Sequence, residues 1–287
     1  MNKRKEKIMV RIITDSLSDI TLERGKELGI DIMCLNVRFG DEEYVCGKEM
    51  SNEQFYEKLE TSPNPPSSSA VNPAAFTEIF NKYLDAGDEI VAVMFSSSMS
   101  ATYQNAVIAA EEINSPKLHV IDTQTGLNGE GLLVEYAVKL RDEGKSADEI
   151  EKAIRDILPK IRVYLVVDTM EYLKRGGRIS ASKALVGQLF HVHPVMQILP
   201  DGARPIDKVK GKKSSSAWLV NKLVAEPAST DFPIVIEHSN AVDRAAALQS
   251  DIVAAGITND FTTNCIGPII GTHAGPNCLS IGYVIAE

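Results

Sequence analysis

The sequence predicts an α/β protein of two domains, an N-terminal α/β/α domain with a parallel sheet over residues 1–160 and a C-terminal α/β domain with a mixed sheet over residues 161–287. Three observations predict it. Up to about residue 160, short apolar runs alternate with helical stretches, the pattern of parallel βαβ units with right-handed crossovers. Those apolar runs are continuous rather than alternating, which suits a sheet covered on both faces. Past that point, hairpins mix with helices, as in a mixed sheet. A length of 287 residues exceeds one average domain, and 44% hydrophobic residues can build a core.

The elements follow in order. Ile8–Thr14 is a buried strand ending at Asp15-Ser16, and TLERGKELGI is a helix with a glycine at its end. DIMCLNVRF predicts a second strand, with GDEEYVCG a turn-linked extension. SNEQFYEKLE opens with Ser51 three residues before Gln54, a capping box, and predicts a short helix. TSPNPPSSSAVNP is so rich in proline and serine that no regular structure is expected. A helix (AAFTEIFNKYLDAG, closed by Gly87), a strand (EIVAVMF), a helix (SATYQNAVIAAEEI), a strand (KLHVID) and two helices complete the first domain. In the second, RVYLVVDT is a strand, and EYLKRGGRISASKALVGQLF is helical pieces around a Gly-Gly break. Two strands then meet at Asp201-Gly202, a helix, a strand and a helix follow, and two or three strands close the chain.

Composition weighs against several function classes. A net charge of -9 argues against nucleic acid or an anionic membrane as the main partner. The first residues are basic but lack the apolar stretch of a signal peptide, and no run is long enough to span a bilayer. Cys34, Cys46, Cys265 and Cys278 form no C-x-x-C pair or zinc spacing, so reduced thiols in a soluble cytoplasmic protein are expected, with no metal.

Ligands of open parallel sheets gather at the carboxyl ends of the strands. Here those ends carry small hydroxyls: Thr14 and Ser16, then Ser96, Ser97, Ser98 and Ser100, then Thr123 and Thr125. One hydroxyl at a strand-to-helix turn is needed only as a cap, and Ser100 is the favoured one. The others, with free N–H groups, suit an anion at a helix N-terminus. GLNGEG is not the dinucleotide fingerprint and no P-loop is present, so neither a nucleotide nor another cofactor is expected. FSSSM lacks both glycines of a nucleophile elbow, which weakens a serine-hydrolase reading. A carboxylate needs only hydroxyls, N–H groups and one cation. YLKRGGRIS offers Arg175 and Arg178, either solvated at the surface or, for Arg178, directed inward where the glycines allow close approach. IGPIIGTHAGP sets Thr272 and His273 between a strand-like run and a Gly-Pro turn, as a structural histidine or as a ligand.

IITDSLSDI, MFSSSMSATYQNA, YLKRGGRIS and IGPIIGTHAGP, in this order and spacing, resemble the DegV family over nearly the whole chain. The resemblance implies a DegV-like fold of two α/β domains with a long-chain fatty acid buried between them. It also implies a non-catalytic role, as the acyl-binding subunit of a bacterial fatty acid kinase that supplies acyl phosphate for phospholipid synthesis. The ATP-dependent kinase subunit is then the protein partner. Carried over by position, the carboxylate ligands are Ser97, Arg178 and His273, with Ser68 standing where the family has a threonine. Ser69, Ser96 and Thr272 are the adjoining hydroxyls. The chain departs from the family's Thr-Ser-Gln-Pro-Ser loop at Ser68–Asn72, has Ala101 where glycine is common, and has Lys210 near a family arginine. Ile108, Leu127, Leu185, Val186, Leu189, Phe190 and Ile266 are candidates for the tail channel, or ordinary core. A stand-alone serine esterase using Ser97 and His273, and a lipid-responsive regulator, are the alternatives.

Overall fold

The computed structural model describes residues 8–179 and 192–286. Strands β1 (Val10–Asp15), β2 (Asp31–Met33), β6 (Glu89–Met94) and β7 (Leu118–Asp122) form a parallel sheet in the order β2-β1-β6-β7. Helices α1 (Leu22–Leu28), α3 (Pro73–Asp85), α4 (Thr102–Ile113), α5 (Asn128–Asp142) and α6 (Ala147–Ile157) connect and cover it. Ile12, Val91 and Val93 pack on α5 and α6, whereas Ile13, Ala92 and Met94 pack on the other face with Phe76, Phe80 and Ala106. Both faces are therefore apolar, and that is why these strands read as unbroken hydrophobic runs.

The single strand expected over DIMCLNVRF is two. The chain leaves the parallel sheet after β2 and enters a second, antiparallel sheet as β3 (Asn36–Phe39). β4 (Glu42–Val45) is its hairpin partner, and β5 (Pro66–Ser69) pairs on its other side. β5 overturns the expectation that the Pro/Ser segment has no regular structure. Proline opens the strand, and β3 supplies the ladder that local propensity does not. Between β4 and β5, helix α2 (Asn52–Thr61) carries the expected Ser51–Gln54 capping box.

The strands that follow form one mixed sheet, in the order β10-β9-β8-β13-β11-β12. They are β8 (Ile161–Val166), β9 (His193–Leu199), β10 (Gly202–Val209), β11 (Ile234–His238), β12 (Phe261–Cys265) and β13 (Leu279–Val284). Only β11 and β12 run parallel; every other pairing in this sheet is antiparallel. Side chains alternate along β8: Tyr164 and Val166 face α8 (Lys212–Ala225) and α9 (Val242–Ala254), and Val163 and Leu165 join the core shared with the first sheet. The start of α5 is fastened to this sheet, because Asn128 N donates to Glu237 Oε2 (3.0 Å) and Asn128 Nδ2 to Ser280 Oγ (2.9 Å). Two further short helices stand among the described residues, α7 (Glu171–Gly176) and α10 (Pro268–Ala274). The closing segment was expected to be strands alone; α10 begins at Pro268, a good first helical residue, and ends before Gly275.

Candidate functional site

The serine run after β6 spends most of its hydroxyls on its own turn. Ser96 is fully buried and its Oγ lies 2.9 Å from Ser98 Oγ. Ser97 is exposed; its Oγ donates to Asp122 Oδ2 (2.5 Å) and its N–H to Asp122 Oδ1 (3.2 Å), at the end of β7. The N-cap of α4 is Ala101, which has no side chain to cap with. Ser100, the expected cap, sits one position earlier and accepts from Thr102 N (3.2 Å). The turn also presents the Met99 carbonyl, and Arg178 Nε donates to it (3.1 Å).

Arg178 follows α7, where Gly177 adopts φ +69 and ends the helix. Its Nη1 donates to Gly176 O (2.5 Å). Both of its hydrogen bonds to described residues go to backbone carbonyls, so neither neutralises the guanidinium with an acidic partner. Arg178 and His273 line one small cavity of about 50 Å³, whose other described walls are apolar: Phe95, Met99, Leu127, Leu165, Leu173 and Ile270 among them.

His273, near the C-terminal end of α10, places Nε2 2.9 Å from Ser68 Oγ. Its Nδ1 is buried with no partner. Burial, reinforced by the charges of Arg178 and Arg175, pushes its pKa down to about 4, so the imidazole is neutral near pH 7. Gly176 makes this packing possible, since a Cβ there would run into the ring. Ser68 lies on β5, and strand alternation turns Ser67 and Ser69 the other way, into solvent. Thr272 Oγ1 is buried and donates to Pro268 O (2.8 Å) within its own helix.

Of the sequence-derived residues, the structure therefore brings together Arg178, His273 and Ser68. Ser97 is turned to Asp122, Ser96 is locked inside its turn, Ser69 is exposed and Thr272 is tied to its helix. Among the channel candidates, Leu127 lines the cavity and Ile266 is buried in the shared core. Ile108, a candidate for the channel or for ordinary core, is 37% exposed on α4, pointing away from the core face that carries Ala106 and Ala109. Leu185, Val186, Leu189 and Phe190 lie outside the described residues.

Two features of the cavity carried weak sequence signals. Leu127 holds φ +53, ψ -139, a backbone conformation that favours glycine, where α5 starts without a side-chain cap. Phe95 packs close against Gly126, where any Cβ would collide with the ring. The first two glycines of GLNGEG thus serve packing, Gly126 against Phe95 and Gly129 against Thr125 and Val163.

A polar tip of one guanidinium and a neutral imidazole, set in apolar walls, suits a ligand with an anionic head and a greasy body. It suits ester hydrolysis less well. Ser97 and His273 have different partners, and no carboxylate orients the imidazole through Nδ1.

Comparison with known proteins places the chain. The DegV family model, described as an uncharacterised protein family, matches residues 9–286. The chain belongs to the DegV family. A DegV domain-containing protein of Lactococcus lactis is 33% identical over 279 residues, 94% of this chain and 96% of the relative. Another, from Caldanaerobacter subterraneus, is 30% identical over 277 residues, covering 96% and 98%. Among solved structures, this DegV protein superposes on a Thermus thermophilus DegV family protein, described for its fatty acid binding, with a TM-score of 0.88. The two are 26% identical, over 96% of this chain and all of the other. A Bacillus subtilis DegV, described as a fatty acid binding protein, shares the fold at a TM-score of 0.87, 24% identity and 98% coverage of this chain.

Proposed function

We propose that this DegV protein binds a long-chain fatty acid, with the carboxylate received by Arg178, His273 and Ser68 and the alkyl chain laid along the apolar walls. The observation that carries the reading is the cavity that Arg178 and His273 share, otherwise apolar among the described residues, with Ser68 on the imidazole. The fatty acid binding ascribed to the Thermus thermophilus protein supports it.

The energetics fit. Transferring about 14 methylenes from water at about 0.8 kcal/mol each gives roughly 11 kcal/mol before ordering losses. The head is the costly part, because an unpaired carboxylate leaves water at great expense. Charge-assisted hydrogen bonds from Arg178 offset that cost, and the neutral His273 can donate one N–H without adding charge. The cavity of about 50 Å³ is far smaller than a long alkyl chain, so entry of the tail displaces wall side chains, of which Met99 is the most adaptable. Ser97 would join the head only by leaving Asp122.

The chain carries no nucleotide-binding fingerprint. The reading therefore extends to a non-catalytic carrier in the bacterial cytoplasm that presents the acyl carboxylate to a separate ATP-dependent kinase subunit. Among the described helices, none is long and apolar enough to cross a membrane. Lys210, exposed between β10 and α8 beside Lys208, Lys212 and Lys213, is a candidate contact for that subunit.

Native mass spectrometry of the purified protein, followed by lipid extraction, tests the first step; a co-purifying or added oleate bound one-to-one is expected, and no fatty acid at saturation overturns it. Incubation with ATP, Mg²⁺ and oleate alone should give no acyl phosphate; product formed without a partner would overturn the carrier reading. Labelling of Ser96, Ser97 or Ser98 by a fluorophosphonate would favour the esterase instead.

A further inference from the structure

Two hydrogen bonds tie the halves of the molecule together by the same device, used in opposite directions. Asp19, in the loop after β1, accepts from Gly267 N (2.8 Å), where β12 of the mixed sheet runs into α10. Glu237, on β11 of the mixed sheet, accepts from Asn128 N (3.0 Å), at the start of α5 on the parallel sheet. Each half thus holds a backbone N–H of the other with a carboxyl group. Both carboxyls are buried, and in each the second oxygen, Asp19 Oδ2 or Glu237 Oε1, has no partner.

The surroundings supply no compensating positive charge. Asp15 from β1 and Glu130 from α5 are buried carboxyls too. The other titratable groups near Asp19 are Cys46 after β4, Tyr56 on α2 and Cys265 on β12. His238, next along β11, turns to the other face of its strand from Glu237. No described lysine, arginine or histidine forms an ion pair with any of the four carboxyls. Burial raises Asp19 to about 8, with the charge of Asp15 adding to it; burial raises Glu237 well above its ordinary range, with the charge of Asp19 adding to it.

Each bond has space beside it, although the unpartnered oxygens themselves are closed off. An acidic cleft of about 360 Å³, lined by Asp19, Glu23, Glu53 and Gly267 among others, adjoins the first. A void of about 20 Å³ adjoins the second, lined by Glu237, Asn128 and Glu135, whose carboxylate pairs with Arg24 (3.1 Å). An ionised carboxylate in the closed seam lacks both water and a donor for one oxygen, and a small parting of the halves wets it from these spaces. We propose that Asp19 and Glu237 form a proton-operated latch: protonated, they hold the seam closed through Gly267 N and Asn128 N, and on losing their protons they let it loosen at both bonds while the two sheets stay formed. The closed seam carries protons that the loosened one releases, so opening grows as pH rises toward about 8. The proposal does not depend on the acyl site.

Amide hydrogen exchange of the full chain across that pH range, followed by peptide mass, tests it. The segments that begin at Asn128 and Gly267 should be less protected than β6, because they open locally. Base catalysis alone speeds exchange about tenfold per pH unit, and each proton released on opening multiplies this by about ten, so these segments should accelerate about a hundredfold or more. Asp19→Asn and Glu237→Gln keep the acceptors for Gly267 N and Asn128 N without an ionisable proton; together they should return both segments to about tenfold. If the double variant fails to fold, each single variant should flatten the segment that it holds. Glu111→Gln with Glu112→Gln, on exposed positions of α4, should leave the parent's response unchanged. Protection at Asn128 and Gly267 equal to that of β6 overturns the proposal, since these bonds would then break only on global unfolding. So does acceleration of the parent by base catalysis alone, or equal flattening by the α4 pair.

Discussion

The two ends of α10 make opposite solutions to the same problem. At its C-terminal end, His273 sits against apolar side chains and the charge of Arg178, and it stays neutral because a second positive charge there would be buried and repelled. At its N-terminal end, burial pushes Asp19 up to about 8, aided by the negative charge of Asp15. One end sets a guanidinium and a neutral imidazole among apolar walls; the other buries a carboxyl beside further acidic groups. In each case a glycine, Gly176 or Gly267, leaves the room in which the polar group sits. The difference teaches that burial sets the charge state at both ends, and that like charges nearby reinforce it in each case.

The largest expected effect breaks the packing at either end. Gly176→Ala drives a methyl into the imidazole, and Gly267→Ala puts one 2.9 Å from Asp19 Oδ1. Each should cost about 1–3 kcal/mol of stability, by analogy with overpacked cores. Chemical denaturation measures this, and only Gly176→Ala should also abolish oleate binding. An effect on oleate equal at both positions would show that α10 moves as one body.

Arg178→Met comes next. Losing a charge-assisted hydrogen bond is worth roughly 1.5–3 kcal/mol, so oleate should bind on the order of tenfold to a hundredfold more weakly. Because Arg178 is exposed, the melting temperature should hardly change. An unchanged oleate affinity would remove Arg178 from the site.

The pH response separates the ends. Asp15 and Asp19 titrate at about 7 and about 8 in the folded chain, raised by burial from 3.8. The native state therefore holds protons that the unfolded chain releases, and their contribution to stability is lost as pH rises from about 4 through 8. Glu130 and Glu237, buried beside them and also raised, act in the same direction. His273 acts oppositely: lowered from 6.5 to about 4, it stays neutral while the unfolded chain takes up a proton, so its contribution is lost as pH falls through that window. Melting curves across pH should show the alkaline loss flattened by Asp19→Asn and the acid loss flattened by His273→Gln. If Asp19→Asn leaves the alkaline limb unchanged, Asp19 is ionised in the folded protein.

Ser68→Ala should have the smallest effect. It removes one neutral hydrogen bond, worth about 1 kcal/mol, and should weaken oleate binding by a few-fold in a direct titration. No change would mean that His273 alone meets the head.

Much of this was legible in the residues. Gly29 and Gly87 stand past the ends of α1 and α3 at positive φ, and Ser51 with Gln54 opens α2, because caps and turns are local events. Arg178 and His273 could be singled out for their glycine-rich surroundings. The misreadings share one cause. Pro66–Ser69 is a strand only because β3 lies beside it, and DIMCLNVRF divides because its two halves pair with different sheets. Ser97 stood out among hydroxyls, yet Asp122, 25 residues further on, takes its proton donor. Ser68 and His273 are 205 residues apart, and no spacing rule joins them.

The sequence by itself determined the alternation of strand and helix, the two sheet types and the helix ends, since apolar periodicity and capping chemistry act over a few residues. Only the tertiary structure decided which hydroxyl meets the imidazole, which face of each strand lines a cavity, and that one seven-residue helix joins an apolar pocket to an acidic cleft. Those outcomes depend on contacts between distant segments and on the desolvation that folding imposes, and neither is written in any short stretch of chain.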